Sequence, residues 1–273
     1  VKLSSKLHKK ILMVQGKHGT HRQTYYVADA APKTGYRVPT NAQTAKVETV
    51  SPKSRINVSY GLIFAKRANA DVNHAIGEIS KVHNVPITTP HTEVNVTGVS
   101  GAKGANGYYD LGSRNIAVMK YGNHVAATVA HEYGHFLDHN VFGTGKYSFE
   151  SMGTVAWMNG RPPETAREMN GLMTALYRSK AGRNLIRIHQ TGGGMYSGAT
   201  DYLLMPTEMM ARAYAQWIGT KTKSPTLRAQ IQSAKDEWDR LGYPAQWEDH
   251  DFHAISREFD RLFARRGYTH RSG

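Results

Sequence analysis

The stretch Thr128–His139, TVAHEYGHFLDH, sets the reading of this chain. His131 and His135 stand four residues apart, and Glu132 directly follows the first. On an α-helix, positions i and i+4 stack on one face. Two imidazoles so placed can grip one metal ion, and the glutamate one step round can hold a water beside it. The segment carries no proline. Asn123 is its expected N-cap, its end is expected near His139 or Asn140, and Gly143 lies just beyond. Gly134 costs a helix about 0.5–1 kcal/mol relative to alanine. It therefore marks a close approach of other backbone, either a peptide crossing a cleft floor or tight packing of the helix against a sheet.

A catalytic zinc takes three protein ligands and leaves a position for water. Asp138 and His139 follow His135 at i+3 and i+4, but each lies a turn farther along the axis, and three ligands on one straight helix rarely converge on a tetrahedral ion. Asp138 is read instead as a partner supporting the site or as a polar contact at the helix end, and His139 as a cap for helix carbonyls. The better third ligand is Glu208, 73 residues after His135 in DYLLMPTEMMARAYAQWIG. It opens a helix among Met209, Met210, Ala211 and Ala213, where a carboxylate needs a partner; the helix dipole is the alternative explanation. Arg212, at i+4, either bonds the Glu208 carboxylate or orients an acidic group near the metal. Tyr202 and Tyr196, in GGGMYSGATDYL, are candidate donors to a developing oxyanion.

The 273 residues hold 40% hydrophobic and 21% charged side chains, enough to bury a core. No apolar run approaches the roughly 20 residues of a membrane span, and the start, VKLSSKLHKKILMVQG, lacks a signal-peptide core. The absence of cysteine removes disulfides and thiolate chemistry. The formal charge of +14 is unevenly placed: residues 1–70 carry 13 Lys+Arg against 2 Asp+Glu, or +11. This basic arm is suited to nucleic acid or an acidic protein surface, or is simply solvated.

Residues 11–29 read as a hairpin and 30–58 as loop. A helix is expected over 62–84, with Ile63, Ala70, Val72, Ile76, Ile79 and Val82 inward. Gly98–Gly107 reads as a glycine-rich loop. A strand follows over Arg114–Lys120, and Ile116, Ala117, Val118 and Met119 are its candidate substrate-binding residues, pairing with a peptide as an added strand. Further helices are expected over 163–187 and 206–218, then two amphipathic ones, the last lined by Phe252, Ile255, Phe259 and Phe263. The acids of WEDHDFH read as helix capping, and GTGKYS lacks the spacing of a phosphate-binding loop.

HEYGHFLDH with the later PTEMMARAYAQWI resembles the gluzincin-type metallopeptidase domain associated with large polyvalent proteins of phages and mobile elements. Those sequences pair a His-Glu-x-Gly-His-x-x-Asp helix with a Pro-x-Glu-x-x-Ala-Arg-Ala helix. The likeness extends to GANGYYDLGSRNIAVMKYG and KVHNVP, covering roughly residues 60–220. It implies zinc held by His131, His135 and Glu208, Glu132 as base, a polypeptide substrate, and a phage virion or bacterial cytoplasm as setting, beside other virion proteins. The expected architecture is α+β: a basic arm (1–58), a zincin-like catalytic domain with a small mixed sheet (59–220) and a helical C-terminal extension packed on it (221–273). The competing expectation is a non-catalytic virion or nucleic-acid-binding protein on the same fold, docking through the arm.

Overall fold

The computed structural model describes residues 8–16, 19–27, 48–51, 56–59, 66–84, 94–99, 106–110, 115–119, 123–143, 149–152, 166–191 and 197–269. Its centre is the histidine helix α2, Val125–Phe136, in which every residue but His131 is buried. A helix apolar nearly all round belongs inside a fold rather than on its surface. Strands pack on one side of α2, and three helices on the others: α1 (Lys66–Val82), α6 (Pro206–Thr222) and α7 (Pro225–Arg240). The described residues thus combine a mostly helical body with strands, an α+β architecture.

The described residues form two sheets. The first is an antiparallel ribbon of β1 (His8–Gly16) and β2 (Gly19–Val27), the expected hairpin. The second is mixed, with strands ordered β3-β4-β5-β7-β6. Here β3 is Glu48–Ser51, β4 Ile56–Ser59, β5 Val94–Val99, β6 Gly107–Tyr109 and β7 Asn115–Met119. β4, β5 and β7 run parallel, and β3 and β6 close the two edges antiparallel.

Three expectations change here. Residues 48–51 and 56–59, read as part of a loop-like arm, are strands of the main sheet. Their four-residue length gives almost no alternation to detect, and pairing with β5 supplies what the local pattern does not. Gly98 and Gly107, read as the bounds of a loop, belong to β5 and β6. The third concerns the substrate strand. Ile116, Ala117 and Val118 have strand neighbours on both sides, β5 and β6. Their backbone is committed, so they cannot accept a peptide as an added strand; the edge facing outward is β6.

The expected inner face of α1 holds at Val72, Ile76 and Ile79, which are buried, while Ala70 is exposed. Ile63 lies outside the described residues. The expected 163–187 helix is two, α3 (Ala166–Arg178) and α4 (Lys180–Thr191). Ser179 makes the break: its hydroxyl donates to the Leu176 carbonyl and accepts from the Gly182 amide, offering the backbone an alternative to the helix ladder. Asp251, in the WEDHDFH acids, accepts the Lys180 and Ala181 amides and so caps α4. α5 (Ser197–Leu204) leads into α6, which has Pro206 at its first position. On α8, Asp249–Arg265, Phe252, Ile255, Phe259 and Phe263 are all buried as expected. Phe259 and Phe263 pack with Trp217 of α6 at ring separations of 5.2 and 4.8 Å. The C-terminal helices and the histidine helix therefore share one core.

Candidate metal centre

α2 presents His131 and His135 one turn apart, and α6 crosses it carrying Glu208 in its first turn. The crossing is possible because of Gly134. A Cβ at that position would lie 2.9 Å from Ala211 Cα and 3.3 Å from the Ala211 carbonyl oxygen. Gly134 and Ala211 thus let the two ligand-bearing helices touch backbone to backbone. The close approach expected at Gly134 is real, but the partner is α6, neither a bound peptide nor the sheet.

This contact brings two imidazole nitrogens and both oxygens of one carboxylate together. His131 Nε2 is 3.3 Å from Glu208 Oε2, and His135 Nε2 is 3.3 Å from Glu208 Oε1. The two imidazole nitrogens are 3.1 Å apart. A tetrahedral ion with bonds of about 2.0–2.1 Å separates its ligand atoms by about 3.3 Å. Glu208 is buried, and its carboxylate faces both imidazoles. Two imidazoles and a carboxylate at these separations could hold a metal ion.

The electrostatics agree with that use. Burial opposes charge on both His135 and Glu208, but their mutual attraction overrides it. The His135 imidazole is lifted to about 9, and the Glu208 carboxyl falls well below its usual range. Without a metal, the pair holds a proton where the ion would bind. Glu132 behaves oppositely: burial raises its pKa, with the neighbouring histidines pulling it back. Its carboxylate accepts the backbone N–H of Tyr109 on the edge strand β6. Gly107 allows β6 so close, since a Cβ there would lie 2.5 Å from Thr128 Cγ2 and 2.7 Å from the Ala117 carbonyl oxygen.

The surrounding residues take roles that the sequence had left open or assigned otherwise. The helix does not end at His139 as an α-helix; it widens into a π-turn over Leu137–Phe142. π-Turns occur often at functional sites. Here the turn points Asp138 and His139 inward, and both are buried. Asp138 accepts the Ser151 amide and hydroxyl rather than an imidazole N–H, and His135 Nδ1 has no hydrogen bond. Asp138 acts on His135 through its charge, and it anchors the segment whose Phe149 ring packs 6.1 Å from the His135 ring. His139 Nδ1 meets the Tyr109 hydroxyl at 3.2 Å. Asn123 is an exposed turn residue, and the N-cap of α2 is His124, which makes no side-chain capping bond.

Arg212 does not bond the Glu208 carboxylate. Its guanidinium ties three backbone carbonyls, those of Leu203, Glu208 and Ala245, and lies 5.6 Å from the centre of the Trp247 ring. It fixes α5 against α6, and α5 carries Tyr202. Tyr202 is 41% exposed, yet its hydroxyl reaches the Glu208 carboxylate; burial and that negative charge raise its pKa. Tyr196 and the side chain of Met119 lie outside the described residues. Tyr109, Gly107, Ser151 and Phe149 were missed in the sequence reading. The GYYD that follows the glycine-rich run was the available signal for the first two.

Comparison with protein families, curated proteins and solved structures finds no match for the chain. No helix among the described residues is long and apolar enough to cross a membrane.

Proposed function

We propose that the chain is a zinc-dependent endopeptidase, with zinc held by His131, His135 and Glu208. The observation that carries this reading is the convergence of the His131 and His135 Nε2 atoms, 3.1 Å apart, on the Glu208 carboxylate, each 3.3 Å from one of its oxygens, with a buried glutamate beside them. Bound zinc supplies Lewis acidity, lowering the pKa of its water toward about 7 and polarising the scissile carbonyl. Glu132 takes the water proton and passes it to the leaving amine, and burial raises its pKa, making it a stronger base than an ordinary carboxylate. The Tyr109 amide holds that carboxylate between the edge strand and the metal ligands. Burial and the Glu208 charge raise the Tyr202 pKa, which supports its hydroxyl as a donor to the oxyanion. The substrate backbone is received on β6, the open edge of the sheet. The zincin-like fold and the phage or bacterial setting carry over from the resemblance in the two helix motifs.

A purely structural metal site fits less well. Such sites take four protein ligands, commonly cysteines, whereas three converge here among the described residues and the chain has no cysteine. The test is Glu132→Gln, assayed on unfolded polypeptides with zinc content measured in parallel. Zinc is expected to remain while cleavage disappears. Cleavage retained by the zinc-loaded variant would remove Glu132 from the base role.

A further inference from the structure

The site does not use the β1–β2 ribbon. Among the described residues, these two nine-residue strands pair with one another and form a sheet separate from the one packed on α2. Their 18 residues contain Lys9, Lys10, Arg22, His8 and His21, and no Asp or Glu. Residues 1–47 as a whole carry 9 Lys+Arg against 1 Asp+Glu, whereas residues 71–273 are nearly balanced at 22 against 19. The N-terminal excess of positive charge thus includes three cations on the ribbon itself, with no acid among its residues. The register sets Lys9 opposite Tyr26 and Lys10 opposite Tyr25, so basic and aromatic positions alternate between the strands.

From this placement we infer that the β1–β2 ribbon docks the protein on the phosphate backbone of double-stranded nucleic acid. Nine residues of extended strand span about 30 Å, close to one turn of a duplex. A two-stranded ribbon is also an element that the roughly 12 Å major groove of DNA admits. A run of cations without acids meets a polyphosphate with no like-charge penalty, and each neutralised phosphate releases counterions. A folded acidic protein presents mixed charge, so a ribbon with no acid of its own gains least there. The inference does not depend on the metal centre being catalytic.

The test uses the full chain and a fluorescent duplex DNA of about 25 base pairs, with anisotropy read across about 50–200 mM salt. Three proteins are compared: the unaltered chain, K9Q/K10Q/R22Q, and R240Q/R257Q/R265Q, which removes three exposed charges from the C-terminal helices. The unaltered chain is expected to bind, with log K falling linearly against log salt. The ribbon variant is expected to lower the steepness of that slope by about 2.7, at about 0.9 per lost phosphate contact. The C-terminal variant is expected to keep the parent slope. Unaltered zinc content in the ribbon variant would show that its body is folded. No binding at 50 mM salt, an unchanged slope in the ribbon variant, or tighter binding to vesicles rich in anionic lipid than to DNA would each overturn the assignment.

Discussion

At the scale of single residues, the centre is governed by where one proton sits. His135 is raised from its ordinary 6.5 to about 9 by Glu208, so in the metal-free protein it is protonated at neutral pH. A group raised on folding stabilises the fold fully below its unfolded value and loses that contribution as pH climbs through its folded value. The metal-free protein should therefore lose this part of its stability between about pH 6.5 and 9. Metal must displace the same proton, so apparent affinity should rise about tenfold per pH unit up to about 9 and then level. Titration calorimetry at pH 7 in buffers of different ionisation enthalpy should show close to one proton released per metal bound; affinity flat across this range would contradict the pairing. Tyr202→Phe should cost roughly 10²–10³ in kcat with little change in KM, the signature of a donor used only in the transition state. An unchanged kcat would leave Tyr202 a wall residue. The ligands were legible in sequence because i, i+4 spacing is local and a carboxylate opening an apolar helix is anomalous. Asp138 was legible only as polar and near. Its partner Ser151 lies across a turn that no periodicity describes, and Arg212 turned to backbone carbonyls that no side-chain spacing reveals.

Between elements, the decisive contact is α2 on α6 through Gly134 and Ala211. Gly134→Ala offers a sharp test because two effects oppose one another. Alanine favours the helix by about 0.5–1 kcal/mol. The added methyl would lie 2.9 Å from a backbone atom of Ala211, which cannot swing aside as a flexible side-chain tip can. Overpacking of this kind costs about 1–3 kcal/mol, so the clash should win and the melting temperature should fall. The same displacement separates Glu208 from the histidines, so metal affinity should fall with it. A variant that melts higher and binds metal normally would mean that the helices do not meet as described. The sequence flagged Gly134 as a point of close approach but could not name the partner, since residues 134 and 211 are far apart in the chain. Strand order was hidden for the same reason. β7 reads as a good strand by itself, and only pairing reveals that β6 takes the edge.

Over the whole molecule, a basic ribbon is joined to a body in which a mixed sheet and seven other described helices are built around one buried helix. The α+β class, the hairpin and the terminal amphipathic helices follow from composition and periodicity. The contribution of residues 48–51 and 56–59 to the main sheet does not, because those strands are short and gain their stability from neighbours. The sharing of one core by α8 and the histidine helix means that the C-terminal extension supports the centre. The most direct test is the metal content of purified protein, native beside Glu208→Ala, after both are exposed to zinc and desalted. About one zinc per native chain is expected, with its loss or marked weakening in the variant. A native chain that takes up no zinc, or a variant that holds it equally well, would contradict a centre built from His131, His135 and Glu208.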